Sequence, residues 1–432
     1  MKEFFQFDRY NTSYRQETVA GLVTFLTMSY IIVVNPSILA VAGIPKDAQL
    51  TATIIAAVIG TLVMAFWANR PFAIAPYMTE NAFIAFVVVK SMGYSWQVAL
   101  GAVFWAGLAF LLLTLLKVRT WLAESIPISL KAAFAVGIGL FLTFIGLNEI
   151  GVVVLGVPGA PVKLGNISQP SVLLAAAGLI LTIVLMARKV NGAILYGIVA
   201  VTVGSVLLGM TPLPLSPVSM PPSITPIFMK LDIAGTLQPG IFPVVLVVFM
   251  MAFLDTIGTL IGLSMRADLL DKNGNLPEIE RPMLADAIAT TIAPLLGTTT
   301  TGAYIESAAG ISVGGRTGFT ALVVAILFGL SLFLAPIFTM VPSYAAGIAL
   351  VIIGALMIQP VTRLDFDDYT ELMPAFLTIT IMIFTYNIGI GMTTGLLSYP
   401  IIKVSTGRGS EVSAGMWVLA ALSLSVFVFM PK

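Results

Sequence analysis

The sequence has no cysteine and no histidine in 432 residues, and only 9% of it is charged. Without cysteine there is no disulfide scaffold. Without either residue the commonest zinc and haem ligands are missing, which argues against a metalloenzyme built on them. Soluble domains carry roughly 25% charged residues, so this chain cannot clothe a water-facing surface. With 21 basic against 20 acidic residues it has no field to attract nucleic acid or an acidic partner. The remainder is apolar: 58% hydrophobic residues and a mean hydropathy of +1.03. At about 20 apolar residues per crossing there is room for roughly 14 membrane elements. The composition is that of an all-α, multi-pass integral membrane protein.

Residues 1–17 are amphipathic and polar, lack a small-residue cleavage site, and read as a retained cytoplasmic lead. Apolar runs at 18–42, 50–68, 72–90, 96–117, 130–150, 171–187 and 191–210 form spans 1–7. A Pro-rich connection at 211–239 leads to runs at 240–264, 281–297, 300–315, 317–340, 342–360, 371–386 and 388–403, spans 8–14. The last apolar stretch, 413–430, either crosses again or lies in the interface. With the N-terminus inside, the cytoplasmic ends hold every Arg, from Arg9 to Arg408, and Lys2, Lys117, Lys131, Lys189, Lys272 and Lys403. The other side holds Lys46, Lys90, Lys163 and Lys230. That asymmetry follows the positive-inside rule along the chain, and a missed span would invert it.

Two stretches look like copies: AAVIGTLVMAFWANRPFAIAPYMTENAFIAF (56–86) and ADAIATTIAPLLGTTTTGAYIESAAGISVGG (285–315). Each has a helix, a break of small residues, Thr or Pro, a carboxylate and an Ala-rich run. A second pair is IPISLKAAFAVGIGLFLTFIGL (126–147) and VPSYAAGIALVIIGALMI (341–358). Seven crossings, an odd number, separate the copies, so the second is inverted. Inverted repeats with broken spans place a substrate site at the membrane midplane in many transporters. Broken helices expose backbone groups that are tolerable at that depth only against a cavity or ligand.

Three carboxylates lie well inside apolar runs: Glu80, Asp255 and Glu306. Each costs at least ~2.5–3.5 kcal/mol at a span centre if ionised, so each should face the interior with a partner or a proton. Neither Asp255 nor Glu306 has a basic residue beside it in sequence. Asp286 and Glu149 lie nearer span ends and read as interface-facing or structural. DFDDY (365–369) reads as a solvated cytoplasmic loop. GTTTTGAY (297–304) is either a site loop or a close-packing surface. GISVGGRTG (310–318) lacks the spacing of a phosphate loop and reads as a tight turn anchored by Arg316.

The stretches GLVTFLTMSYIIVVNPSIL (21–39), FLDTIGTLIG (253–262), AYIESAAGISVGGRTG (303–318) and GLLSYPIIKV (395–404) resemble the nucleobase–cation symporters of the nucleobase–ascorbate superfamily. Among them, the chain is most similar to the adenine/guanine/hypoxanthine permease branch. The resemblance implies two inverted seven-span repeats and a homodimer. It implies a core domain (18–118 and 240–340) moving against a gate domain (126–210 and 341–432), with a short strand and half-helix in spans 3 and 10. By resemblance Asp255 and Glu306 hold the base, Tyr304 and Ile305 present backbone groups to it, and Asn81 sits at the matching break. Thr259 and Ser307 support the site. The branch typically reads PGMGLNAF in span 3; here PYMTENAF introduces Tyr77, Thr79 and Glu80. With no histidine, proton coupling falls to Glu80, Asp255 or Glu306, and Glu80 also becomes a candidate substrate contact.

The expectation is therefore a transporter in the cell membrane that takes up a purine nucleobase with a proton, sodium being the other coupling ion to consider. It needs no cofactor and no metal. The same fold carrying uracil, xanthine or a small anion is the alternative. A membrane-embedded hydrolase lacks any catalytic spacing around Asp255.

Overall fold

A chain this apolar must satisfy its backbone N–H and C=O groups within itself at membrane depth. The computed structural model, which describes residues 1–116, 125–157, 160–266 and 278–429, shows how. Lys117, Arg119 and Lys272, expected at cytoplasmic ends, lie outside the described residues.

Each of the fourteen expected elements has a counterpart. Among the described residues, seven helical stretches are long and apolar enough to cross a membrane unaided, including Tyr14–Ala40, Lys46–Ala68, Trp96–Leu115 and Ile128–Ile150. Span 1 is two helices, Tyr14–Met28 and Ile31–Ala40, with Ser29 and Tyr30 between them. Span 8 is the helix Phe242–Arg266, span 12 begins as Ser343–Leu356, and span 14 is Ile388–Ser405. The last apolar stretch is a helix, Ala414–Phe429, packed on spans 14 and 8. A hairpin not anticipated from the sequence, β2 (Val153–Val157) with β3 (Ala160–Leu164), joins spans 5 and 6.

The helices form two bundles. Spans 1, 2, 4, 8, 9 and 11 pack on one another, and spans 5, 6, 7, 12, 13 and 14 do the same. Spans 5 and 12, the second pair of copies, lie against each other through glycine. A Cβ on Gly146 would meet the Gly347 carbonyl oxygen at 2.7 Å, and one on Gly139 the Gly354 oxygen at 2.7 Å. Only bare backbone allows that approach, the usual means of tight helix packing where hydrophobic burial gives no drive.

The first pair of copies meets in the other bundle. Strand β1 (Ile74–Pro76) of span 3 pairs antiparallel with β4 (Thr301–Ala303) of span 10, with Ala75 opposite Gly302. Short helical segments follow each strand, Met78–Ala82 and Ser307–Ser312. The amides just beyond the strands extend the ladder symmetrically: Tyr77 N donates to Thr300 O at 3.0 Å and Tyr304 N to Ala73 O at 2.9 Å. Each strand thus supplies the partners that the other lacks inside the membrane.

Two of the charged groups that were expected at the surface and are buried instead hold neighbouring elements together. Glu17, at the end of the expected polar lead, is fully buried and receives the amides of Arg316, Thr317 and Thr320 at 3.1–3.3 Å. It also accepts the Thr320 hydroxyl at 2.5 Å. A carboxylate there satisfies the orphan donors at the start of span 11 and suits that end of the helix dipole. Arg316 closes the adjoining turn, donating to the Ile311 and Gly315 carbonyls at 2.7 and 2.8 Å. Glu17→Ala is expected to destabilise the protein by about 3 kcal/mol, since several charge-assisted hydrogen bonds are lost together. An unchanged thermal midpoint would contradict that role. The second group is Lys403, taken up in the Discussion.

Candidate functional site

Where the strands cross, a cavity of about 180 Å³ opens between the bundles. Its lining comes from five spans: Tyr30 of span 1, Tyr77 to Thr79 of span 3, Asp255 and Thr259 of span 8, Ala303 to Glu306 of span 10, and Ile353 and Met357 of span 12. The last two belong to the opposite bundle, so the cavity is a boundary site. Among the described residues, no Lys or Arg lines it.

Two carboxylates face this space, each held by a hydroxyl. Tyr30 Oη donates to Glu306 Oε1 at 2.5 Å, and Thr79 Oγ1 lies 3.1 Å from Asp255 Oδ2. Thr79 Oγ1 is also in contact with Glu80 Oε2. A threonine hydroxyl has one proton to give, so it cannot donate to two carboxylates at once. The second contact is filled when one of the two carboxyls carries a proton.

The walls are aromatic and apolar. Tyr77 and Tyr304 each follow a strand, and their rings stack with centroids 6.0 Å apart and planes 16° apart. Tyr304 Oη donates to Pro76 O at 2.5 Å and Tyr77 Oη to Ala303 O at 3.4 Å, so each tyrosine closes the other copy's strand. Tyr77 covers Gly302 so closely that a Cβ there would lie 2.1 Å from the phenol ring.

Of the residues expected at the site, Asp255, Thr259, Tyr304, Ile305 and Glu306 line the cavity, while Glu80, Asn81 and Ser307 stand behind it. Tyr304 has its backbone committed already: its amide goes to Ala73 and its carbonyl accepts Ser307 N at 3.0 Å. It therefore offers its ring. Ile305 is half exposed at the mouth. Asn81 donates to Asn35 Oδ1 and accepts from Thr299, in a buried network that continues to Thr53 and Thr298 through Asn35. It bolts span 3 to spans 1, 2 and 10. Ser307 Oγ accepts the Ala73 amide at 3.0 Å and fixes the strand crossing from below. Glu80 is fully buried, with Oε1 lacking any hydrogen-bond partner. Asp286 is fully buried too and accepts from Thr256, in keeping with the structural reading.

Tyr30, Ile353 and Met357 were not anticipated as site residues, and Thr79 was expected only as a larger side chain in the altered span-3 motif, not as a partner of Asp255. Tyr30 had one signal, a lone phenol beside Ser29 in an otherwise apolar run. The boundary is shut on one side of the cavity, where Ile145, Ala346 and Leu350 pack on Val34, Ile38 and Phe86. Half-exposed Ile305 marks the accessible side.

The Permease family model matches residues 15–394. The chain belongs to that family, the nucleobase–ascorbate transporters. It is 40% identical over 429 residues to the adenine permease AdeP of Escherichia coli, covering 99% of this chain and 96% of that protein. It is 41% identical over 425 residues to the guanine/hypoxanthine permease PbuO of Bacillus subtilis, covering 97% and 98%. Among solved structures, the transmembrane domain of the cyanobacterial bicarbonate transporter BicA matches with a TM-score of 0.63 at 17% identity, covering 96% of each chain. SLC26A9 matches with a TM-score of 0.65 at 11% identity over 93% of this chain and 66% of that one. Those two likenesses concern the fold: an inverted repeat with a core and a gate. The permease is thus a multi-pass membrane transporter.

Proposed function

We propose that this permease takes up a purine nucleobase together with a proton across the cell membrane, its N-terminus in the cytoplasm. Residues 18–118 and 240–340 form the moving core and 126–210 and 341–432 the gate. The observation that carries the reading is the cavity itself: two carboxylate acceptors, stacked phenols and apolar walls, with no cation among the described residues to hold an anion. A flat heterocycle with ring N–H groups meets such a surface on its edge and on its faces. The named substrates of the relatives, adenine for one and guanine or hypoxanthine for the other, point the same way.

Proton coupling is supported by the three oxygens around Thr79. Glu80, Thr79 and Asp255 need a carboxyl proton to satisfy their contacts, and Glu80 keeps an unpartnered oxygen in a fully buried position. With a proton on board, the core carries one negative charge fewer past the apolar gate residues Ile353 and Met357. Coupling then requires that proton and base favour the same state, so each tightens binding of the other. Uptake is expected to rise as external pH falls and to collapse with a protonophore. Uptake indifferent to both, or dependent on sodium at constant pH, would contradict the proton's role.

A further inference from the structure

Both carboxylates that line the cavity meet a protein hydroxyl before any ligand arrives. Tyr30 takes Glu306 Oε1, and Thr79 lies against Asp255 Oδ2. The two pairs are related by the inverted repeat. Spans 1 and 8 correspond, as do spans 3 and 10, and the strand register places Thr79 and Glu306 alike, each two residues beyond the tyrosine that follows its strand. One pair joins a span-1 hydroxyl to a span-10 carboxylate and the other a span-3 hydroxyl to a span-8 carboxylate, so each bridges the two repeats. Donor and acceptor have exchanged positions.

Tyr30 is 1% exposed and sits in the break between the two helices of span 1. A phenol so enclosed has little room to swing aside, so its hydrogen bond belongs to the binding surface. This changes what the carboxylates can recognise. A free carboxylate grips two parallel N–H donors with its two oxygens. Here Glu306 keeps Oε2, and Asp255 keeps Oδ1, as the acceptor without a hydroxyl already on it. The cavity has two separate single acceptors in place of a paired one.

We propose that Tyr30 is the residue that sets which purine is taken, by holding Glu306 to one available acceptor. The favoured bases present one donor group beside one acceptor along the edge of the six-membered ring: the exocyclic amine beside N1 in adenine, and N1–H beside O6 in hypoxanthine. Guanine presents two adjacent donors, the ring N1–H and the exocyclic amine. Its second donor would lie buried without a partner or displace the Tyr30 hydroxyl, and an unpaired buried polar group is the strongest source of discrimination available to a site. Tyr30 is a positioning residue: it selects through Glu306. The inference rests on the purine reading above.

The test is displacement of labelled adenine from the purified, full-length protein by unlabelled adenine, hypoxanthine and guanine, for wild type and Tyr30→Phe. Wild type is expected to bind adenine or hypoxanthine at least about tenfold more tightly than guanine, the worth of roughly one hydrogen bond. Tyr30→Phe keeps the ring and frees Oε1, and is expected to shrink that ratio by about tenfold. A ratio of two affinities on one sample does not depend on how much of the sample is folded, so a purely structural role leaves it unmoved. Wild type preferring guanine overturns the inference without any variant, and so does an unmoved ratio in Tyr30→Phe. If no purine binds, the purine reading fails and this inference with it. If purines bind without this pattern, only the inference fails.

Discussion

Glu306→Gln is expected to weaken purine binding about 100-fold. A hydrogen bond to a charged acceptor contributes roughly 1.5–3 kcal/mol, a factor of about 10–150 in affinity, and substitution by an amide removes the charge. The amide also turns an N–H₂ group toward ring N–H donors where an acceptor stood. The fold should survive, because the amide oxygen can still accept from Tyr30, whose hydroxyl now lies 2.5 Å from Glu306 Oε1. Titration calorimetry with the base that wild type binds best gives the loss directly. Near-normal affinity in a variant with a wild-type melting point would remove Glu306 from the site.

The second large effect lies far from the cavity. Lys403, expected at a solvated cytoplasmic end, has a fully buried side chain. Its ammonium lies 2.7 Å from Glu371 Oε1, 2.8 Å from Glu411 Oε2 and 4.0 Å from Asp368 Oδ2. Arg408 reaches Asp368 Oδ2 and Glu411 Oε1, each at 2.6 Å, and Tyr399 Oη donates to Glu371 at 2.9 Å. The cluster ties the start of span 13 to the end of span 14, and Ser129 of span 5 joins it through Glu371. Lys403→Met removes the shared cation and leaves carboxylates facing one another. Breaking a buried pair by removing one partner typically costs 3–5 kcal/mol. The carboxylate side chains stay 20–42% exposed, which favours the lower end, about 3 kcal/mol. Thermal unfolding should show a midpoint several degrees lower; an unchanged one would mean solvent already screens the cluster.

The same cluster has a sign in pH. Arg408 and then Lys403 push the Glu411 carboxyl down to about 2, and the Thr370 hydroxyl with Arg408 holds Asp368 well below the ordinary carboxylate range. Carboxyls depressed on folding contribute stability above their unfolded values and lose it as pH falls through the folded ones. The contribution of Glu411 is therefore present at neutral pH and fades between about 4.5 and about 2.

The spans were legible because apolar run length maps onto membrane thickness, and the inversion because an odd number of crossings separates the copies. Asp255 and Glu306 stood out because an ionisable group inside a bilayer needs a reason to be there. Their hydroxyl partners did not. Tyr30 and Thr79 sit in apolar or small-residue runs where a hydroxyl usually just bonds a carbonyl of its own helix, as Thr27 and Ser37 do here. Glu80 and Asn81 adjoin Thr79 in sequence, yet one helical step turns them away from the cavity, and a step that short leaves no trace in composition. Lys403 was misread for a related reason, while DFDDY is largely exposed as expected and only its Asp368 joins the cluster. Charges at a span end look solvated until the turn at 409–411 folds Glu411 back over them. The β2–β3 hairpin is a short polar-flanked segment between two spans and left no periodicity to read.

Counterflow in proteoliposomes tests the central claim most directly. Vesicles containing the purified protein are loaded with unlabelled adenine, hypoxanthine or guanine and diluted into the same base carrying a label. At least one purine is expected to accumulate as label in wild-type vesicles, and none in Glu306→Gln vesicles. Exchange of labelled bicarbonate or sulfate, with no exchange of any purine, would contradict the account and show that the fold shared with BicA serves an anion in this protein as well.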